Sequence, residues 1–221
     1  IKICQLLSNN QISVSKYISD KTGNFINDSP YGNFTLQEYI SGTTYDKFQV
    51  PDKVLLQSAN ILGRINNILE NVNFLKEDFP IDWIKGANAN TDIAKLENTI
   101  HMAEKSTCNI YKNRIINDCK WKLSIMPEIE KNKTLFYQLT RKNSHGDYNT
   151  YQWICENENI KCVIDFGSCG NIPIIWELVR SFTYSSAECN NGKNINIKKY
   201  KICAFFCVLK TEKKSICRLA K

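Results

Sequence analysis

Two aspartates on two short loops carry the chemistry this chain could do. Asp147 closes the string His145-Gly146-Asp147, and 18 residues further on Asp165 sits in Val163-Ile164-Asp165-Phe166-Gly167. Phosphoryl transfer from a nucleotide needs such a pair. One carboxylate orients the acceptor hydroxyl and takes its proton, and the other holds the magnesium ion that bridges the β- and γ-phosphates. The two must stand close together, so the chain between them must fold back on itself.

The intervening sequence has the pattern of a small hairpin. Trp153-Ile154-Cys155 and Ile160-Lys161-Cys162-Val163-Ile164 are short apolar runs around the polar break Glu156-Asn157-Glu158-Asn159. Asp147 would precede the first strand and Asp165 would follow the second, at one edge of the hairpin. Taken singly, HGD and DFG are more often turns than active sites. Their ordered pairing across a hairpin is what gives them weight.

With these residues the sequence resembles the aminoglycoside phosphotransferase and choline kinase group. That family's catalytic loop is H-G-D-x-x-x-x-N followed by hydrophobic-I-D-[WF], and this chain offers HGDYNTYQ and VIDFGS. Three more segments follow in the family's order, so that the likeness covers roughly residues 1 to 192. Ile12 to Tyr17 is similar to the "(I/L)PVPK" segment after the small-lobe helix. Phe34 to Gly42 resembles the last small-lobe strand running into the hinge, and Pro173 to Arg180 resembles the helix after the metal loop.

The resemblance implies an α+β, protein-kinase-like fold: a partial small β lobe over residues 1–40, a mainly helical large lobe over 41–192 and an atypical basic tail over 193–221. It implies an ATP- and magnesium-dependent transferase acting on a hydroxyl of a small molecule. Asp147 would be the catalytic residue, and Asp165 and Gln152 would hold the metal. The Glu38 carbonyl and the Ile40 amide would meet the adenine. His145 would hold its loop by packing and hydrogen bonding, while Glu177 and Arg180 would form a stabilising pair or cap. One departure concerns the metal: the family usually has Asn where this chain has Gln152, the same amide oxygen on an arm one methylene longer. The family's glycine loop, strand lysine and helix glutamate are expected at or before residue 1. Lys2 and Lys16 lack the strand context to replace that lysine, so the chain alone is expected to bind nucleotide weakly and turn over slowly or not at all. The alternative is a degenerate kinase fold kept as a binding or structural module, as in the family's spore-coat relatives.

Composition bounds the rest. A chain of 221 residues with 43% apolar content can bury a sizeable core. No apolar run approaches the length of a membrane span and no signal-peptide pattern opens the chain, which places it by default in the cytoplasm. Its ten cysteines form no CxxC and are scattered, favouring reduced thiols over a disulfide framework. A bridge between Cys155 and Cys162 in the hairpin is conceivable. The net charge of +7 invites a nucleic-acid reading, but residues 1–192 carry 20 basic and 21 acidic side chains. All of the excess lies in the tail, so nucleic acid is an unfavoured partner beside a nucleotide and a small-molecule acceptor. The abrupt change of composition there fits a frameshifted or truncated end as well as a native one.

Periodicity predicts the supporting elements. Ile3, Leu6 and Leu7 fit the end of an amphipathic helix. Ser13–Tyr17, Asn24–Ile26 and Asn33–Ile40 fit strands, with a turn at Asp20 to Gly23. Helices are expected over Asp52–Val72, Thr91–Arg114 and Pro127–Thr140. Residues 73–90 read as loop, in which Asp82 and Trp83 are weak candidates for the acceptor side. His101 reads as an ordinary surface or core histidine.

Overall fold

Ile3, Cys4 and Leu7 recur at the spacing of one helical face, and in the computed structural model Lys2–Asn9 forms helix α1 with those three side chains buried. The structure describes residues 1–75, 89–107 and 110–189, which fall into two compact units divided after Glu77 and after Leu139. Asp82, Trp83 and the tail from 193 lie outside the described residues.

In the first unit, α1 leads through Val14, which bridges to Val163, into strand β1 (Tyr17–Ile18). Strand β2 (Leu36–Gln37) pairs with it antiparallel. Both strands are shorter than their apolar patterns predict. Ile18 and Leu36 face each other in register but stay half exposed, so little burial supports a longer ladder. The predicted turn is present, with Asp20 Oδ1 accepting from the backbone N–H groups of Thr22 and Asn24 at 2.8 Å.

Helix α2 (Asp52–Leu69) matches its expected span closely. Val54, Leu55, Ala59, Leu62, Ile65 and Leu69 form a continuous buried stripe at i, i+3 and i+4 spacing. Each of its Val, Leu and Ile side chains contributes about 1.5–3 kcal/mol on burial. The stripe packs in one core with α1, Tyr148, Trp153 and Val163.

The second unit holds helices α3 (Ala89–Lys105) and α4 (Lys112–Asn132), which pack on each other. Here the helix boundaries differ from expectation. The helix predicted over Thr91–Arg114 stops at Lys105. Ser106 and Thr107 follow, residues whose side chains compete for backbone hydrogen bonds, and the Ser106 N–H closes on Ala103 O. The third helix begins at Lys112, not Pro127, and carries that proline inside it. Pro127 looks like a first-turn proline because proline suits that position. Lys133–Gln138 then continues as a 3-10 turn.

The first unit resumes with strand β3 (Arg141–Ser144), which no apolar pattern announces, followed by β4 (Trp153–Glu156) and β5 (Asn159–Val163). The latter two form the expected hairpin. Trp153 pairs with Val163 and Glu156 with Asn159, and the turn residues Asn157 and Glu158 have φ of 50° and 55°. That is the twist a two-residue hairpin loop requires. Cys162 stands opposite Ile154 and Cys155 opposite Ile160. The cysteines are therefore out of register, and both are free thiols. Strand β6 (Gly170–Pro173) returns antiparallel beside β3 and runs directly into helix α5 (Ile174–Ser185). Among the described residues no helix is long and apolar enough to cross a membrane.

Candidate active site

The two aspartate loops meet because the residues around them are bonded to one another. His145 is fully buried between Tyr148 and Phe166, its ring centroid 4.5 Å from that of Phe166. Its Nε2 lies 2.9 Å from the Ile164 carbonyl oxygen. A carbonyl can only accept, so Nε2 carries the proton and Nδ1 is left to accept from the Asp147 N–H at 3.3 Å. Both ring nitrogens are thus occupied in holding the loop, which leaves His145 no lone pair for a substrate proton.

Gly146 completes the joint. Its φ is +86°, and a Cβ there would collide with the carbonyl oxygen of Ser168, just beyond the Asp165 turn. Glycine is needed both for the left-handed backbone and for the close approach. Cys169 Sγ adds a contact to Ser144 O at 3.0 Å, and β3 and β6 carry the two loops on paired strands.

Asp147 is half buried and held from three sides. Asn149 Nδ2 donates to Oδ1 at 3.0 Å, Gln152 Nε2 donates to Oδ2 at 3.2 Å, and Arg180 Nη2 lies 2.5 Å from Oδ1. Arg180 therefore pairs with Asp147 and not with Glu177, contrary to the pairing expected from their proximity on α5. Glu177 is buried and spent elsewhere. One oxygen accepts the Tyr148 N–H at 3.0 Å and the other accepts the Ser144 hydroxyl. A buried carboxylate with two charge-assisted hydrogen bonds fixes the backbone on both sides of His145-Gly146-Asp147.

Gln152 ends a 3-10 turn (Thr150–Gln152) whose N-cap is Asn149, with Asn149 Oδ1 accepting the Tyr151 N–H. Its amide nitrogen is directed at Asp147, leaving Oε1 for another partner. Asp165 is exposed, with φ 61° and ψ 64°, and its carboxylate accepts the Gly167 N–H at 3.4 Å. Asp tolerates this left-handed region better than most residues, and such backbone clusters at functional sites.

The hinge residues lie on the chain after β2. The Glu38 N–H donates to Lys16 O, and the Glu38 carbonyl accepts the Ser15 hydroxyl, both at 2.8 Å. That carbonyl keeps one lone pair. Ile40 is only partly exposed, and Gly42 lies against Ile154 and Cys155, where any side chain would clash. Thr43 and Cys155 exchange two backbone hydrogen bonds, which ties the hinge to β4. His101, in the second unit, is exposed.

Sequence reading missed Asn149 and Arg180 as partners of Asp147, and the anchoring of β3. Asn143 Nδ2 donates to Leu69 O and Val72 O at the end of α2, while Asn66 Nδ2 donates to Asn143 O and Ser144 Oγ. A two-residue spacing from Asp147 was the one available signal for Asn149.

Residues 1–192 match the phosphotransferase enzyme family. No curated protein matches the chain. Among solved structures, it is similar to a spectinomycin phosphotransferase in complex with ADP and spectinomycin, with a TM-score of 0.63, 14% identity, and coverage of 97% of this chain and 65% of that one. An aminoglycoside phosphotransferase from Alicyclobacillus acidocaldarius gives 0.54 at 12% identity, covering 94% and 63%. The amicoumacin kinase hAmiN, in complex with AMP-PNP, Ca2+ and Ami, gives 0.51 at 12%, covering 83% and 51%. At these identities the likeness speaks to the fold alone, which is protein-kinase-like. The chain spans between about half and two thirds of the length of these solved proteins.

Proposed function

This chain belongs to the phosphotransferase enzyme family, and we propose that it carries the catalytic and metal loops of an ATP-dependent kinase that phosphorylates a hydroxyl of a small molecule. The observation that carries the reading is the joint between the loops: the His145–Ile164 bond and the Gly146–Ser168 approach present Asp147 and Asp165 from adjacent turns.

Each residue has a role its position permits. Asp147, held by Arg180, Asn149 and Gln152, orients the acceptor hydroxyl and receives its proton as the phosphoryl group departs. Little basicity is asked of it, because bond breaking to the leaving group runs ahead of attack in most such reactions. Asp165 and the Gln152 Oε1 are hard oxygen donors on neighbouring loops. They fit a magnesium ion, which needs only one or two protein oxygens beside phosphate and water. When bound, the ion neutralises charge on the phosphates. The Glu38 carbonyl and the Ile40 amide would meet the adenine edge. The nucleotides in the neighbours' complexes, AMP-PNP and ADP, support ATP as the donor.

The test is transfer of label from γ-labelled ATP to a panel of hydroxyl compounds with magnesium. The reading expects slow transfer by the chain as given, which Asp147→Asn and Asp165→Asn each lower by about 10²-fold or more. Undiminished transfer in the Asp165 variant contradicts it.

A further inference from the structure

The two oxygens of a carboxylate are chemically equal, and only their surroundings tell them apart. Around Asp147 the donors are unevenly shared. Oδ1 accepts from Asn149 Nδ2 at 3.0 Å and meets Arg180 Nη2 at 2.5 Å, which fills both of its lone pairs. Oδ2 accepts the longer bond from Gln152 Nε2, at 3.2 Å, and among the described residues nothing else. The side chain keeps 26% of its surface exposed, and Oδ2 is the oxygen with capacity for a further donor.

Helix α5 imposes this division. Leu178 and Phe182 seat it in the core. From that seat Glu177 grips the loop backbone at the Tyr148 N–H, and Arg180, three residues on, reaches the Asp147 side chain. The terminal torsion of an aspartate is broad, so two neutral amides alone let the carboxylate swing. A charge-assisted contact is roughly twice as strong and pins its plane. Without the guanidinium, Oδ1 regains a lone pair, and a hydroxyl or water can bond there instead.

We propose that Arg180 is a positioning residue that reserves Oδ1 of Asp147 and leaves Oδ2 as the oxygen that meets the acceptor hydroxyl. This rests on reading Asp147 as the residue that receives the proton. In the step, the acceptor oxygen bonds to the γ-phosphorus, the bond from that phosphorus to the bridging oxygen breaks to release ADP, and the hydroxyl proton passes to Oδ2. Arg180 touches none of the reacting atoms. Because it contacts Oδ1 through one nitrogen, a lysine ammonium can stand in for it, as it could not at a bidentate contact.

Release of labelled phosphate from γ-labelled ATP with magnesium, water serving as the acceptor, tests this on the full chain. Wild-type turnover is expected to be slow and to vanish in Asp165→Asn. Arg180→Met should lower kcat about tenfold or more and leave KM for ATP within about twofold, while Arg180→Lys restores about a third or more of the wild-type kcat. Should the Met variant unfold, Arg180→Gln, neutral and still a donor, takes its place with the same expectation. An unchanged kcat in the neutral variant, a parallel rise in KM, or a Lys variant no better than the neutral one overturns the proposal. Nitrogen-15 NMR of the Arg180 guanidinium reads the contact without turnover. Its two Nη signals should be separate in the wild type and averaged in Asp147→Ala, and averaging in both also overturns the proposal. Wild-type hydrolysis no faster than that of Asp165→Asn brings down the phosphotransfer reading itself, and the role of Arg180 with it.

Discussion

His145 Nε2 and the Ile164 carbonyl oxygen, 2.9 Å apart, join the residue two before one aspartate to the residue one before the other. The bond is partly buried, and the carbonyl can only accept, so the proton of the bond is on Nε2. It makes the spacing of the two acidic loops a property of the fold and not of a bound ligand.

Removing that bond should cost stability. His145→Ala removes the partner of the partly buried Ile164 carbonyl and opens a cavity against Phe166 and Tyr148, with an expected loss of about 2–4 kcal/mol. Urea unfolding measures it. A loss under about 0.5 kcal/mol would show that the loops are held together by something else.

Gly146→Ala tests the joint without removing a hydrogen bond. A methyl group there meets the Ser168 carbonyl, and alanine resists a φ of +86°. The expected outcome is destabilisation of about 1 kcal/mol or more together with weaker magnesium-nucleotide binding, since the turn beyond Asp165 must move. Calorimetric titration of ADP with magnesium reads the second effect.

Glu177 is predicted to act through the backbone of the catalytic loop. Glu177→Leu orphans the Tyr148 N–H and the Ser144 hydroxyl, for a loss of about 2–5 kcal/mol. Glu177→Gln keeps one carbonyl acceptor and should recover a good part of it. Equal losses in the two variants, compared by denaturant midpoints, would rule out the hydrogen-bonding role.

Burial raises the Cys155 and Cys162 thiols to about 11 and the Cys169 thiol to about 12, from 9.0 in the unfolded chain. The native state therefore keeps protons that the unfolded state releases above pH 9. Stability should be fully present below pH 9 and fall as pH rises to 11–12, by up to about 1.4 kcal/mol per pH unit for each thiol. Replacing Cys162 by Ala should flatten that alkaline decline. Iodoacetamide at pH 8 should modify these three thiols slowly in the native protein and quickly in urea.

The hairpin was legible because short apolar runs around an Asn-containing break leave few alternatives, whereas its register, with an irregularity at Ile154/Cys155 that sets Cys155 opposite Ile160, was not. Helix α2 was legible because its buried stripe is long and regular. Strand β3 was not: Arg141-Lys142-Asn143-Ser144 is polar, and its two buried residues are held by hydrogen bonds to Asn66 and the end of α2, which leave no apolar trace. The span of α4 was misjudged because Pro127 suits a helix start equally well. At the site, the meeting of the two aspartate loops followed from the paired motifs and the hairpin between them, and the holding role of His145 from the family resemblance. The Arg180–Asp147 pair did not, since it joins a loop to a helix distant in sequence and only the turn of α5 decides which acid the arginine meets.

The central claim is that Asp165 holds a metal ion brought with a nucleotide to the face where Asp147 waits. Thermal unfolding with ADP, with and without magnesium, for the wild-type chain and Asp165→Ala tests it most directly. The account predicts a magnesium-dependent rise in midpoint for the wild type that disappears in the variant. The same rise in both, or in neither, would contradict it.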